Sequence, residues 1–155
     1  VQACSPITGM SAEYAEFDGS PMSRKLGWSN DRHDWFYSDS YRTAANIGLD
    51  YEWFGIDEGQ CAAVDRLQEF LLEDARRNQF HTYEINGTVA QSDVLHPVAI
   101  IATVAQGSLA ANNPFTNEWI ERFWNTPMRT GVRRYYDNCL YFFAFLALSG
   151  KYRIW

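Results

Sequence analysis

Cysteine is scarce in this chain of 155 residues. Cys4, Cys61 and Cys139 are far apart and odd in number, and no Cys-x-x-Cys pair exists. That spacing argues against a disulfide framework and against a zinc site. Lone reduced cysteines fit a cytoplasmic protein, which is the expected location. Long apolar runs are missing too. The longest, residues 98–104 and 140–148, fall short of the roughly 18 residues that a membrane span needs. With 10 glycines and 5 prolines the chain is neither collagen-like nor a low-complexity linker. Positive charge is in deficit, with 13 Lys and Arg against 19 Asp and Glu, a net of -6. No basic cluster exceeds two residues, so nucleic acid is a poor partner. No Gly-rich phosphate loop, Gly-x-Ser-x-Gly elbow or His-Glu-x-x-His motif occurs, and no cofactor is implied. Residues 1–12 carry Pro6 and Gly9 without an apolar stretch and do not read as a signal peptide.

What is abundant is apolar and aromatic side chain, 46% and 16% of the chain, which excludes disorder. Residues 34–53 read as one long helix. Asp39, Arg42, Asn46 and Asp50 form its narrow polar stripe, and the remaining faces are apolar or small. Such a helix is expected to be buried, with its stripe against something polar inside the protein. Gly48 within it costs roughly 1 kcal/mol against Ala, which close packing by a neighbour would explain. Residues 58–77 form an amphipathic helix with Val64, Leu67, Leu71 and Ala75 inward and Glu73 and Arg77 paired outside. Residues 80–93 alternate around Asn86-Gly87 and predict a hairpin. Pro97 opens a helix over 97–111 that is apolar on nearly every face. Residues 116–125 are amphipathic, with Trp119, Ile120, Phe123 and Trp124 inward. Residues 133–149 are again apolar round most of their surface. Buried and amphipathic helices therefore alternate. That is the pattern of an all-α toroid, in which inner helices form a ring wrapped by outer ones; a plain bundle would give every helix a wet face. Five helices make an incomplete ring, so helices 97–111 and 133–149 should show an exposed flank.

Asp39 is the leading candidate for chemistry. Arg42 follows three residues later on the same stripe, and a cation at that spacing orients a carboxylate as a general base requires. A structural ion pair between packed helices is the competing reading. Asp31, His33 and Asp34 fall on different sides of a turn and read as helix capping rather than as a metal site. Trp28, Trp35, Tyr37, Tyr41, Tyr135 and Tyr136 add aromatic density. Sugar rings have apolar faces that stack on such rings while their hydroxyls bond acids and amides.

The string His33-Asp34-Trp35-Phe36-Tyr37-Ser38-Asp39-Ser40-Tyr41-Arg42, followed by Ala45-Asn46-Ile47, resembles family 8 glycoside hydrolases, in their xylan-active branch. Glu13 to Gly19, Leu95-His96-Pro97, Ser108-Leu109-Ala110 and Arg134 to Asn138 extend the likeness in order through the chain. The resemblance implies an (α/α)6 barrel and inverting hydrolysis of β-1,4 bonds in xylo-oligosaccharides. It makes Asp39 the general base, Arg42 its partner and Tyr136 a shaping residue, with Tyr135 as the fallback. It places Trp28, His33, Trp35, Tyr41, Tyr135 and His96 among sugar contacts. The Leu95-His96-Pro97 kink implies a blocked cleft and release of xylose from the reducing end. Endo-xylanase action and a non-catalytic carbohydrate-binding fragment stand as alternatives. Members of this family are more than twice as long, and their general acid lies in a Ser-Glu-Gly element that is absent here. Residues 1–155 thus resemble the C-terminal portion of a single catalytic domain, whose N-terminal part is the implied partner.

Overall fold

A computed structural model describes residues 3–23, 33–55 and 57–153. Strand β1 (Trp35–Phe36) leads through one 3-10 turn (Ser38–Tyr41) into helix α1 (Arg42–Phe54). Helix α2 (Glu58–Arg77), strands β2 (Thr82–Glu84) and β3 (Val89–Gln91), and helices α3 (Pro97–Gly107), α4 (Thr116–Asn125) and α5 (Arg134–Leu148) follow. Helix α3 is the hub, packing on α1, α2, α4 and α5. Its residues from Ala99 to Gly107 are all buried. Helices α1 and α5 pack on α3 and touch each other, α2 packs on α1 and α3, and α4 packs on α3. None of the described helices is long and apolar enough to cross a membrane.

Local chemistry explains most boundaries. Asp57 caps α2 by accepting the N–H groups of Gly59 and Gln60, and Asn78 ends the helix in the left-handed conformation. Pro97 occupies the first turn of α3, where its missing N–H costs nothing. The hairpin turns at Asn86-Gly87, where Gly87 has φ +98, the Glu84 N–H donates to the Thr88 carbonyl and the Gly87 N–H to the Glu84 carbonyl, both at 2.9 Å. The antiparallel sheet runs β1-β2-β3, with Phe36 opposite Tyr83.

Five expectations need correction. The long helix over 34–53 is in fact a strand, a turn and a helix. Trp35 and Phe36 pair with β2, and Ser38 at φ +41 breaks any helical path before Asp39. The polar stripe of α1 does not face the interior either, since Arg42, Asn46 and Asp50 are exposed. Helix α3 stops at Gly107 because the carbonyls of Ala105, Gln106 and Gly107 turn into 3-10 type bonds with residues 108–110. Finally, only one of the two apolar helices shows a bare flank. Helix α3 is enclosed, whereas α5 leaves Phe142, Phe143 and Phe145 at 56%, 43% and 43% exposure. Trp124, expected inward, lies 45% exposed, edge-on to Phe145.

The close approach inferred at Gly48 is present. A Cβ there would fall 2.3 Å from the carbonyl oxygen of Gln106 on α3. The Gln106 side chain donates to the Ala45 carbonyl at 3.1 Å, sealing the same crossing. Gln68 ties the outer helices to the hub. Its amide donates to Val104 O and Ser108 Oγ, while Trp119 donates to its carbonyl.

Candidate active site

The turn between β1 and α1 presents Asp39. Ser38, at φ +41, adopts a left-handed backbone that costs a non-glycine residue of order 1 kcal/mol or more. Two bonds hold it there. The Ser40 hydroxyl accepts the Tyr37 N–H at 2.8 Å, and the Tyr136 hydroxyl donates to the Ser38 carbonyl at 2.8 Å. The Asp39 carboxylate meets the Arg42 guanidinium at 2.9 Å and keeps 36% of its side chain exposed. It is therefore oriented from one side and open to water on the other. The Asp39 carboxylate lies close enough for its charge to act on the Tyr136 hydroxyl. Burial, followed by the Asp39 charge, pushes that phenol well above its ordinary range, so it remains a proton donor towards the turn.

A second cluster borders the first. The ring of His96 lies 4.5 Å from that of Tyr136, centroid to centroid. Its Nδ1 is 2.8 Å from Asp137 Oδ2. The same oxygen accepts from Arg129 Nη1 at 2.6 Å, and Asp137 Oδ1 accepts the Ala99 N–H at 2.9 Å. Arg129 also donates to the carbonyl of Leu95. Burial works to raise the Asp137 pKa, but the bonds from His96, Arg129 and Ala99 outweigh it and hold the carboxyl below its ordinary range. The kink at Leu95-His96-Pro97 is thus fastened from beneath by a charged side chain of α5.

The other sugar-contact candidates separate. His33 is 5% exposed and lies 2.7 Å from Glu13 Oε2, edge-on to Tyr14. With the bonds from Glu13 N to Trp35 O and Tyr14 N to His33 O, it fastens the N-terminal segment beside β1. Tyr41 is a core residue at 1% exposure, packed edge-on against Phe36. Trp35 is half-buried in β1. Tyr135 is 82% exposed and lines a shallow depression with Arg134, Cys139 and Phe142, apart from the Asp39 turn. Trp28 and Asp31 lie outside the described residues. Among the described residues, no three His, Cys, Asp or Glu side chains are grouped to hold a metal ion. Sequence reasoning missed Arg129 and Asp137 as site residues. The available signal was an acid inside an otherwise apolar helix, a placement that demands partners.

No family model matches the chain. Curated proteins and solved structures do. The chain is 50% identical over 153 residues to the reducing-end xylose-releasing exo-oligoxylanase Rex8A of Paenibacillus barcinonensis, covering 99% of this chain and 39% of the relative. It is 52% identical over 158 residues to the reducing-end xylose-releasing exo-oligoxylanase of Bifidobacterium adolescentis, covering 97% and 40%. The structure superposes on that of Rex8A from P. barcinonensis in complex with xylose with a TM-score of 0.91 at 48% identity, over 99% of this chain and 40% of that one. The chain therefore spans about two fifths of the length of the curated relatives it matches.

Proposed function

We propose that this chain is the base-bearing part of an inverting glycoside hydrolase that cuts β-1,4-linked xylo-oligosaccharides and releases xylose from the reducing end. The observation that carries the proposal is the pairing of about half-identity to reducing-end xylose-releasing exo-oligoxylanases with an oriented, water-accessible Asp39 in the turn where the family-8-like string lies. In this reading Asp39 takes a proton from the water that attacks the anomeric carbon, on the face opposite the leaving sugar. Arg42 and Tyr136 hold Asp39 in place. A carboxylic acid on the other side of the bond must protonate the leaving oxygen. No Ser-Glu-Gly element occurs in the chain, so the acid comes from the remainder of the domain.

The same remainder would complete the ring. The inner row α1, α3, α5 is that of a partial (α/α)6 barrel, and the exposed aromatic face of α5 is the flank on which further inner helices would rest. Single apolar residues at a surface are ordinary, but three large aromatics on one flank call for a cover.

The test is Asp39→Asn in the full-length protein that carries this segment. Turnover of xylotriose should fall by about 10²–10⁴-fold, with oligosaccharide binding retained by calorimetry. Undiminished turnover would refute the assignment. Labelled xylobiose, in place of labelled xylose, from reducing-end-labelled xylotetraose would instead favour endo action.

A further inference from the structure

The Asp137 carboxylate is fully buried, and its partners all serve one short segment. Ala99 N–H and His96 Nδ1 belong to the kink and the first turn of α3. Arg129 reaches Asp137 and the Leu95 carbonyl together. Arg129 is itself clamped, since Asn138 accepts from its N–H and donates to its carbonyl, both at 2.9 Å. An ionised carboxylate can only accept hydrogen bonds. The atom facing it at 2.8 Å, His96 Nδ1, must therefore be the one that carries a proton. Arg129 supplies the counter-charge, so the imidazole is not required as a cation. In a neutral imidazole with Nδ1 protonated, Nε2 holds the lone pair. Among the described residues, Nε2 of His96 has no protein partner, and the side chain keeps 10% exposure.

We propose that Asp137, braced by Arg129, is a positioning residue that fixes His96 as the Nδ1–H tautomer and leaves Nε2 to accept a hydroxyl from the sugar at the reducing end. This rests on the function proposed above. It adds that specificity at the blocked end is a matter of proton placement as well as of shape. A sugar hydroxyl donating to Nε2 would be matched. A group that could only accept there would be left unpaired against a lone pair, a buried mismatch that selects against it.

The experiment uses the full-length protein labelled with ¹⁵N-histidine, with the His96 resonances assigned by their loss in His96→Gln. At neutral pH the wild type should show a protonated Nδ1 and a bare Nε2. An Nε2–H tautomer, or a doubly protonated ring, would overturn the proposal. Asp137→Asn should shift His96 towards the other tautomer, lower kcat/KM on xylotriose about tenfold, and release labelled xylobiose from reducing-end-labelled xylotetraose, from which the wild type releases labelled xylose. A purely structural role for Asp137 would lower Tm and leave the tautomer and the cleavage position unchanged, and that result would also overturn it. If Asp137→Asn does not fold, the wild-type spectrum alone decides. A wild type that fails to release reducing-end xylose would sink the function proposed above, while the spectrum still judges the tautomer.

Discussion

Burying a carboxylate on an apolar helix costs several kcal/mol unless donors meet it, and at Asp137 three do, from His96, Arg129 and Ala99. The consequence is a stability that depends on acid. The carboxyl is held below its ordinary value of 3.8. Its stabilising contribution is complete above that value and is lost as pH falls through the lower folded one. Tm should therefore decline below about pH 4, and Asp137→Asn should flatten that part of the profile while lowering Tm at neutral pH; a parallel decline in both proteins would contradict it. Ser38 shows the same economy in backbone terms. A strained φ is tolerated because Tyr136 bonds the Ser38 carbonyl and Ser40 the N–H of the preceding Tyr37, and the strain sits one residue from the candidate base. Composition could not show either feature, since both depend on partners distant in the chain.

Helices declare themselves in sequence when their capping and periodicity agree. Helix α2 begins and ends as expected, with Asp57 and Asn78 as caps, and α4 matches its amphipathic segment to the residue. The segment before α1 misleads because its apolar residues serve a strand, a turn and a helix in succession. Helical spacing from Asp34 to Trp53 arises from α1 alone, and the pairing of Trp35 and Phe36 with β2 depends on residues nearly fifty positions later. Asp39 and Arg42 still meet, because an i, i+3 pair adjoins in a 3-10 turn as it does in an α-helix. At the α1–α3 crossing, Gly48→Ala would drive a methyl into the Gln106 carbonyl, backbone against backbone. It should cost about 1–3 kcal/mol, read as a lower urea midpoint with an unchanged m-value. Wild-type stability would mean the two helices separate freely.

Taken as a whole, the molecule has a closed side and an open one. The cluster around Trp119, Phe123 and Ile100 is sealed, while α5 presents Phe142, Phe143 and Phe145 outward. Expressed alone, the chain should bind a hydrophobic dye and self-associate in sedimentation, and replacing those three phenylalanines by serine should reduce both. It should release no xylose from xylotriose, lacking the acid; monomeric behaviour without dye binding would count against the need for a cover. The contrast between helices apolar on nearly every face and amphipathic ones is legible in the sequence pattern alone. Which apolar helix is left bare is not, because α3 is covered by four helices and α5 by fewer. In the first turn of α5, Tyr136 secures the turn of Asp39 and the next residue, Asp137, secures the kink at His96. On the proposed reading, bond cleavage and chain-end recognition hang from consecutive positions of one rigid helix. Substitutions there are pleiotropic, and an evolutionary route from exo to endo action that passes through α5 would disturb catalysis, whereas one that changes only Leu95 or His96 would leave it intact.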